Sequence, residues 1–192
     1  ITMVTTGPMT NLGMAIRMEP RIVPKIKRIV LMGGAYTNGN VTPAAEFNII
    51  ADADAAYVCF TAGRPITMIG LDVTRKALCY PAIVDRMDKI GNKASKLFVD
   101  LMRHFCKSQK EVFGWEGGPL HDPITIAWLI DPSVVETKPM HAEIDIRSVQ
   151  SYGRTNCDFF GYQKLEPNAD VGIGIDADKF WDMVEEVLRM YD

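Results

Sequence analysis

The chain has 192 residues, of which 47% are hydrophobic and 23% are charged; this length can bury a substantial core, and this composition excludes a disordered chain, a collagen and a coiled coil. Lys and Arg number 21 against 24 Asp and Glu, a formal net charge of -3, whereas a nucleic-acid-binding protein would usually carry a basic surplus. No apolar run approaches the roughly 18–20 residues of a membrane-spanning helix, so we expect neither nucleic acid nor a membrane as a partner.

Short apolar and β-branched runs in the first part of the chain predict three strands, because each run ends in a turn or at a polar residue. They cover residues 2–5, 28–32 and 65–71. Two helices are predicted between them: one capped by Thr10 or Asn11 and running to Met18, and one over residues 52–60 that ends near Gly63. This alternation predicts an α/β fold whose sheet is mostly parallel and flanked by helices.

The second part of the chain is mainly helical in its pattern. Amphipathic helices are predicted over residues 81–90, 94–107, 124–130 and 178–191, and strands over 143–146 and 171–175. No linker or internal repeat interrupts the pattern, so we expect residues 1–192 to form a single domain. The cysteines are scattered and contain no Cys-x-x-Cys pair, which favours reduced, structural thiols in a cytoplasmic protein.

Polar residues follow the predicted strands at their carboxyl ends, where open α/β sheets bind ligands. Thr6 follows the first strand, the pair Gly33 and Gly34 follows the second, and Asp72 follows the third. We therefore expect the ligand site at this edge of the sheet.

A loop rich in Asn and Gly contains Glu46 and Asn48, just ahead of a predicted helix. A carboxylate and amides that lie close together can hold neighbouring hydroxyl groups, because each supplies a different donor or acceptor. The alternative is a solvated loop in which the Asn residues only accommodate turn geometry.

His121 and Asp122 stand next to each other after a Gly-rich stretch and before Pro123. As a functional pair they offer an acid or base beside an oxygen ligand for a metal. As a structural pair they offer only a helix cap, with Asp122 as the N-cap ahead of a Pro in the first turn. The residue pattern leaves both interpretations open.

Six short runs follow one another in this order along the chain: TGPMTNL (6–12), IVLMGGA (29–35), GN (39–40), AEFNI (45–49), GLDVT (70–74) and HDP (121–123). In these runs the chain resembles the nucleoside hydrolases, of the inosine-uridine preferring and pyrimidine-specific ribonucleoside type. The resemblance extends over the whole chain. It implies a Rossmann-like nucleoside hydrolase fold lacking its N-terminal portion, with residues 1–192 as the C-terminal part of that domain.

The resemblance also implies an activity. Such enzymes hydrolyse the N-glycosidic bond of a ribonucleoside, here with pyrimidine preferred over purine, to give ribose and a free base through an oxocarbenium-like transition state. A bound Ca²⁺ orients the ribose hydroxyls and the attacking water, and an Asp acts as general base on that water.

Site residues are implied position by position. Thr6, through its backbone carbonyl, and Asp122 would bind the calcium ion. His121 would be the catalytic residue that contacts the base and helps to protonate it. The substrate-binding residues would be Met32, Asn40, Glu46, Phe47, Asn48 and Asp122 around the ribose, with Gln109 and Phe113 near the base.

Two departures from the family's pattern matter. The Asp-x-Asp-x-Gly-x-Asp-Asp run that supplies the general base and the other calcium carboxylates is absent, and the pair Asp52 and Asp54 is not a substitute for it. Phe113 stands where the pyrimidine-preferring members have a Tyr near the base, and a Phe can stack but cannot donate a hydrogen bond.

Two hypotheses follow for the chain. In the first it is the C-terminal part of a calcium-dependent nucleoside hydrolase; in the second it is a catalytically inactive remnant or a binding domain. Thr6 and Asp122 fall short of the 6–8 oxygens that calcium usually takes. We therefore expect the chain alone neither to hydrolyse uridine or inosine nor to hold calcium tightly.

The sequence begins inside a predicted strand and without a Met, so we expect further chain before Ile1. A parallel sheet without its first strands has an open edge and an uncovered apolar face. We therefore expect association with the missing part or with further copies, and the resemblance implies a homo-oligomer, either a dimer or a tetramer.

Overall fold

The computed structural model describes residues 1–191. Its first part contains β1 (Thr2–Thr5), α1 (Thr10–Met18), a 3-10 helix (Pro20–Lys25), β2 (Arg28–Met32), α2 (Phe47–Ile50), α3 (Ala53–Phe60) and β3 (Ile66–Ile69). The predicted cap of α1 by Thr10 or Asn11 is wrong, because Met9 occupies the N-cap position and makes no side-chain hydrogen bond there. Asp52 does cap α3, since its Oδ1 accepts the backbone N–H of Ala55 at 3.0 Å.

The middle of the chain contains α4 (Leu71–Thr74), β4 (Leu78–Cys79), α5 (Pro81–Asp88), α6 (Lys93–Phe113), β5 (Gly118–Pro119), α7 (Pro123–Ile130) and a second 3-10 helix (Pro132–Val134). The predicted end of α6 at residue 107 is wrong. The helix continues through a polar stretch of good helix formers to Phe113, and Gly114 ends it in the left-handed conformation with φ of 72°. Gln109 and Phe113 therefore lie on a helix rather than in a loop.

The last part contains β6 (Val135–Met140), β7 (Ala142–Ile144), β8 (Thr155–Cys157), β9 (Ala169–Ile175) and α8 (Ala177–Arg189). Strands β6 and β8 were not predicted from the sequence, and the predicted strand over residues 143–146 begins and ends later than β7. Strand β6 lacks a regular alternation and contains Pro139, which is tolerated because β6 is an edge strand. Strand β8 is only three residues long and pairs with β7 in a small separate sheet.

The main sheet has the order β1-β2-β3-β9-β6. Strands β1, β2, β3 and β9 run parallel to one another, and β6 pairs antiparallel with β9. The predicted α/β fold with a mostly parallel sheet is therefore confirmed. The carboxyl ends of β1, β2 and β3 meet at one edge, and this places the segments after Thr5, Met32 and Ile69 side by side.

Both faces of the main sheet are buried. Along β2, Ile29 and Leu31 face a core that also contains residues of α1 and α3, whereas Val30 faces a second core with residues of α5, α6, α7 and α8. All three of these β2 side chains have an exposed fraction of 0%. The continuous apolar run of β2 is thus explained by burial on two faces rather than one.

None of the helices within residues 1–191 combines the length and the apolarity that crossing a bilayer requires.

Candidate functional site

Glu46 lies in the loop between β2 and α2, at the carboxyl edge of the parallel strands. It is 3% exposed, and its Oε2 accepts the backbone N–H groups of Gly34 and Asn48, both at 2.9 Å. Burial raises the pKa of this carboxyl above its ordinary value; backbone N–H donors oppose that shift, and the charge of nearby Asp122 adds to it. The hydrogen bonds therefore hold the Glu46 carboxyl group in one orientation, and its protonation is coupled to the charge of Asp122.

Asn48 is held against the end of β2. Its Nδ2 donates to the backbone oxygen of Met32 at 3.0 Å and approaches the Met32 sulfur at 3.3 Å. Met32 packs with Ala35 and Leu71 in a small buried cluster. These contacts fix the amide of Asn48 beside the carboxylate of Glu46, so three of the predicted substrate-binding residues lie together.

Asn40 is linked to Glu46 and Asn48 through the backbone of Phe47, which lies between them in the sequence. Its Oδ1 accepts the backbone N–H of Phe47 at 2.9 Å, and its own N–H donates to the backbone oxygen of Ala45 at 3.1 Å. The loop closes so tightly that a Cβ on Gly39 would lie 2.2 Å from the Ala45 oxygen. Asn40 is exposed and Phe47 is 55% exposed, so both side chains are accessible to a ligand.

Helix α4, at the end of β3, holds the other side of the same loop. The Asp72 carboxylate accepts the backbone N–H of Tyr36 at 2.7 Å and the hydroxyl of Thr37. Arg75 donates to the backbone oxygen of Gly39 at 2.9 Å. The loop after β2 is therefore pinned at its start by Asp72 and near Asn40 by Arg75.

His121 contacts α4 as well. Its Nδ1 lies 2.7 Å from the hydroxyl oxygen of Thr74. Burial, with a smaller contribution from the positive charge of Arg75, lowers the pKa of His121 to about 4. The imidazole is therefore neutral at pH 7, with one nitrogen that donates a hydrogen bond and one that accepts.

Asp122 occupies the N-cap position of α7, yet its side chain makes no capping hydrogen bond. The capping interpretation is therefore wrong, and the carboxylate is not committed to the helix. Desolvation by the surrounding protein raises its pKa above the ordinary value. Asp122 and the exposed Thr6 line the same cavity of about 650 Å³, whose other walls are mainly apolar side chains of α7 and α8.

Calcium is the metal that the predicted ligands would suit. A free, exposed carboxylate on Asp122 beside Thr6 fits calcium's preference for mixed carboxylate and carbonyl oxygens. Within residues 1–191, however, no cluster of three or more His, Cys, Asp or Glu side chains could hold a metal. Asp122 and Thr6, the two predicted calcium ligands, line one cavity, and this pair alone falls short of the 6–8 oxygens that calcium usually takes.

The two residues predicted near the base lie at the end of α6. Phe113 is 46% exposed and stacks on Trp115, with ring centroids 4.9 Å apart and planes 23° apart. Trp115 in turn lies against Arg75, whose guanidinium carbon is 5.7 Å from the ring centroid. Gln109 is half-buried one turn before Phe113.

Several residues that hold the site in place were not predicted as site residues from the sequence. Thr155 is 2% exposed, and its hydroxyl accepts the N–H of Ala35 at 2.9 Å and donates to the same residue's oxygen at 2.6 Å. Thr74, Arg75 and Trp115 act through contacts between distant parts of the chain. Thr74 lies in the GLDVT run and Arg75 follows that run directly, so both stand just after a predicted strand end.

The chain is similar in sequence to proteins of one known family. The family described as inosine-uridine preferring nucleoside hydrolase matches residues 1–182. The pyrimidine-specific ribonucleoside hydrolase RihB of Shigella flexneri serotype 5b (strain 8401) is 49% identical over 191 residues, which are 100% of this chain and 61% of that protein. The RihB of Escherichia coli O17:K52:H18 is similar to the same extent. The chain thus spans about three fifths of the length of these relatives.

Solved structures give the same result. A purine-preferring ribonucleoside hydrolase from Gardnerella vaginalis is 34% identical with a TM-score of 0.88, and the match covers 98% of this chain and 61% of that one. An inosine-uridine preferring nucleoside hydrolase from Bacillus anthracis, 24% identical, shares the fold with a TM-score of 0.78 over 98% of this chain and 60% of that one. The chain belongs to the inosine-uridine preferring nucleoside hydrolase family.

Proposed function

We propose that residues 1–192 form a single domain that supplies the ribose- and base-binding part of an enzyme that hydrolyses the N-glycosidic bond of ribonucleosides. The observation that supports this most directly is the buried Glu46 carboxylate, held by Gly34 and Asn48 and electrostatically linked to Asp122. A buried ionisable side chain with a fixed orientation and a shifted pKa is typical of binding and catalytic sites.

The ribose is the part of the substrate that this group suits. Glu46 and Asn40 bind the 5′-hydroxyl, while Asn48 and Asp122 bind on the 2′/3′ side. The carboxylates accept hydrogen bonds from ribose hydroxyls, and the amide of Asn48 is held in one orientation. The group therefore favours a sugar whose hydroxyls stand at matching positions. Met32 and Phe47 supply apolar contact to the sugar.

The same carboxylates favour the transition state. Cleavage of the glycosidic bond gives the sugar ring oxocarbenium character, and the positive charge is stabilised by nearby fixed negative charges. Glu46 is anchored by backbone N–H groups, so it needs little reorganisation as that charge develops.

The base is contacted from the other side, by His121, Gln109 and Phe113. A neutral His121 at pH 7 keeps one N–H to donate to the departing base as negative charge develops on it. Phe113 offers a ring face for stacking and no hydroxyl.

A calcium ion would be bound by Asp122 and by the backbone carbonyl of Thr6. When bound, it orients the ribose hydroxyls and the attacking water. The general base that activates this water is not among the residues assigned here, and we propose that it comes from a polypeptide segment outside this chain.

Pyrimidine ribonucleosides are the proposed substrates, because the relatives with 49% identity are named pyrimidine-specific. The Gardnerella vaginalis structure is named purine-preferring, so both base classes occur among the similar proteins. The alternative to an enzyme is a catalytically inactive remnant or binding domain, which the absent Asp-rich run favours.

The test joins this chain to the part of the Shigella flexneri RihB that it does not match, and measures ribose release from uridine, cytidine and inosine in calcium-containing buffer. We expect release from the joined protein, fastest with the pyrimidine nucleosides, and none from the 192-residue chain alone. A joined protein that folds and binds uridine but releases no ribose would establish the binding-domain alternative.

Association with further copies is also proposed. Ile126 and Ile130 on α7 are 46% and 66% exposed, and Val187 on α8 is 44% exposed, beside the cavity that Asp122 lines. Apolar surface of this kind favours burial against another polypeptide. Sedimentation equilibrium of the chain should give a mass above that of a monomer; a monomer at micromolar concentration would contradict this part of the proposal.

A further inference from the structure

Arg75 lies between two walls of the candidate site that are far apart in the sequence. Its Nη2 donates to the backbone oxygen of Gly39 at 2.9 Å, and its Nη1 donates to that of Asn38 at 3.3 Å. These carbonyls immediately precede Asn40. Arg75 therefore holds the segment of the loop directly before Asn40, while Asp72 holds the start of the loop.

The same guanidinium covers an aromatic wall. Its central carbon lies 5.7 Å from the centroid of the Trp115 ring, and Trp115 stacks on Phe113. The planar guanidinium can stack on a ring and still donate to carbonyls in its own plane, which the ammonium of Lys cannot do. Arg75 is half-buried, so the protein holds it in this position rather than leaving it to solvent.

We infer that Arg75 is a positioning residue that couples the Asn40 loop to the Phe113–Trp115 aromatic pair, so that the ribose side and the base side of the site are held as one unit. The meaning of "ribose side" and "base side" rests on the proposed function. The coupling itself rests only on the three contacts of Arg75.

The coupling explains why a loop without regular secondary structure is kept in place. Gly39 and Asn40 donate backbone hydrogen bonds only within the loop, to Pro43 and Ala45. Such local bonds open easily unless the loop is attached to a rigid element. Arg75 provides that attachment, because it follows α4 directly and α4 packs against β3 and β9.

The test compares the 192-residue chain with its Arg75→Met, Arg75→Lys and Arg103→Met variants. Arg103 is the matched control, since it pairs with Asp88 on the surface and its removal changes the net charge equally. Two signals are read by NMR: amide hydrogen exchange at Gly39 and Asn40, and the indole N–H resonance of Trp115, assigned with Trp115→Phe.

We expect Arg75→Met to speed exchange at Gly39 and Asn40 by about tenfold or more, and to shift the Trp115 resonance, with exchange in β2 unchanged. Arg103→Met should change neither signal. Arg75→Lys should behave like Arg75→Met, because charge without the planar fork cannot make all three contacts. Full retention of both signals in either Arg75 variant would overturn the inference.

A third measurement ties the coupling to the ligand. In the protein joined to the unmatched part of the RihB, the KM for uridine should rise about tenfold in Arg75→Met and stay unchanged in Arg103→Met, because an unfixed loop must be ordered on binding. If the joined protein with Arg75 intact releases no ribose, the proposed function is contradicted, and the exchange and indole signals of the 192-residue chain still decide the inference about Arg75.

Discussion

Glu46 and Gly34 are joined at the end of β2 by a hydrogen bond in which the buried Oε2 accepts the backbone N–H at 2.9 Å. The bond connects the strand end to the loop that carries the candidate ribose-binding residues. It also means that the carboxylate has both a structural and a proposed chemical role.

Glu46→Ala should lower the free energy of unfolding by about 1–3 kcal/mol, because the N–H groups of Gly34 and Asn48 lose their acceptor in a buried place. Urea denaturation measures the change. Glu116→Ala, at an exposed position in the Gly-rich stretch, is the control and should stay within about 0.5 kcal/mol. Equal stability of the two variants would show that Glu46 does not hold the loop.

The stability of Asp122→Ala and Asp52→Ala distinguishes a carboxylate that makes no capping hydrogen bond from one that caps a helix. Asp52 accepts a hydrogen bond from the first turn of α3, so its removal should cost about 0.5–2 kcal/mol. Asp122 makes no capping bond, so its removal should cost less than about 0.5 kcal/mol. In the protein joined to the RihB part, Asp122→Ala alone should weaken calcium binding, measured by calorimetry; a loss of stability like that of Asp52→Ala would contradict this account.

Gly34→Ala should be far more destabilising than Gly63→Ala. Both glycines have positive φ, 74° and 68°, so both variants carry the backbone penalty of about 1 kcal/mol or more. Only at Gly34 would the new Cβ also collide, lying 2.7 Å from Thr155 Cγ2 and 3.1 Å from the Met68 sulfur; at Gly63 nothing lies within 4 Å. Thermal melting of both variants tests the difference, and similar melting temperatures would be inconsistent with the close approach of Thr155.

The sequence was sufficient for the parts of this protein in which local pattern and tertiary packing agree. The apolar run of β2 and the residues after it predicted a buried strand and a ligand-binding edge. The sequence was not sufficient to predict β6, because this edge strand lacks a regular apolar–polar alternation and contains Pro139. It also placed the end of α6 too early, because polar helix formers up to Phe113 look like a loop when only the apolar stripe is followed.

Within the site, residue types pointed to Glu46 and Asn48, because a carboxylate and an amide in a loop are conspicuous. Arg75 and Thr155 gave no such signal. Their roles depend on backbone carbonyls and N–H groups of Gly39 and Ala35, which belong to other segments. Contacts from a side chain to a distant backbone leave no spacing pattern in the sequence.

Stability at acidic pH should depend on Asp131, which pairs with Lys179 of α8. Hydrogen bonds from Lys179 and Ser133 lower the pKa of Asp131 to about 2. The folded-state pKa is depressed, so the stabilisation is present above the ordinary Asp pKa near 4 and is lost as the pH falls toward 2. Asp131→Asn should therefore flatten the decline of the melting temperature between these pH values; an unchanged slope would show that the pair does not contribute.

The central claim is tested most directly by ribose release from uridine, with the chain joined to the unmatched part of the Shigella flexneri RihB and supplied with calcium. We expect release by the joined protein and by its Glu116→Ala control. We expect a loss of about 100-fold or more in kcat/KM for Asp122→Ala, because a group that binds the reacting sugar is removed. Release that persists unchanged in Asp122→Ala, or no release from a correctly folded joined protein, would contradict it.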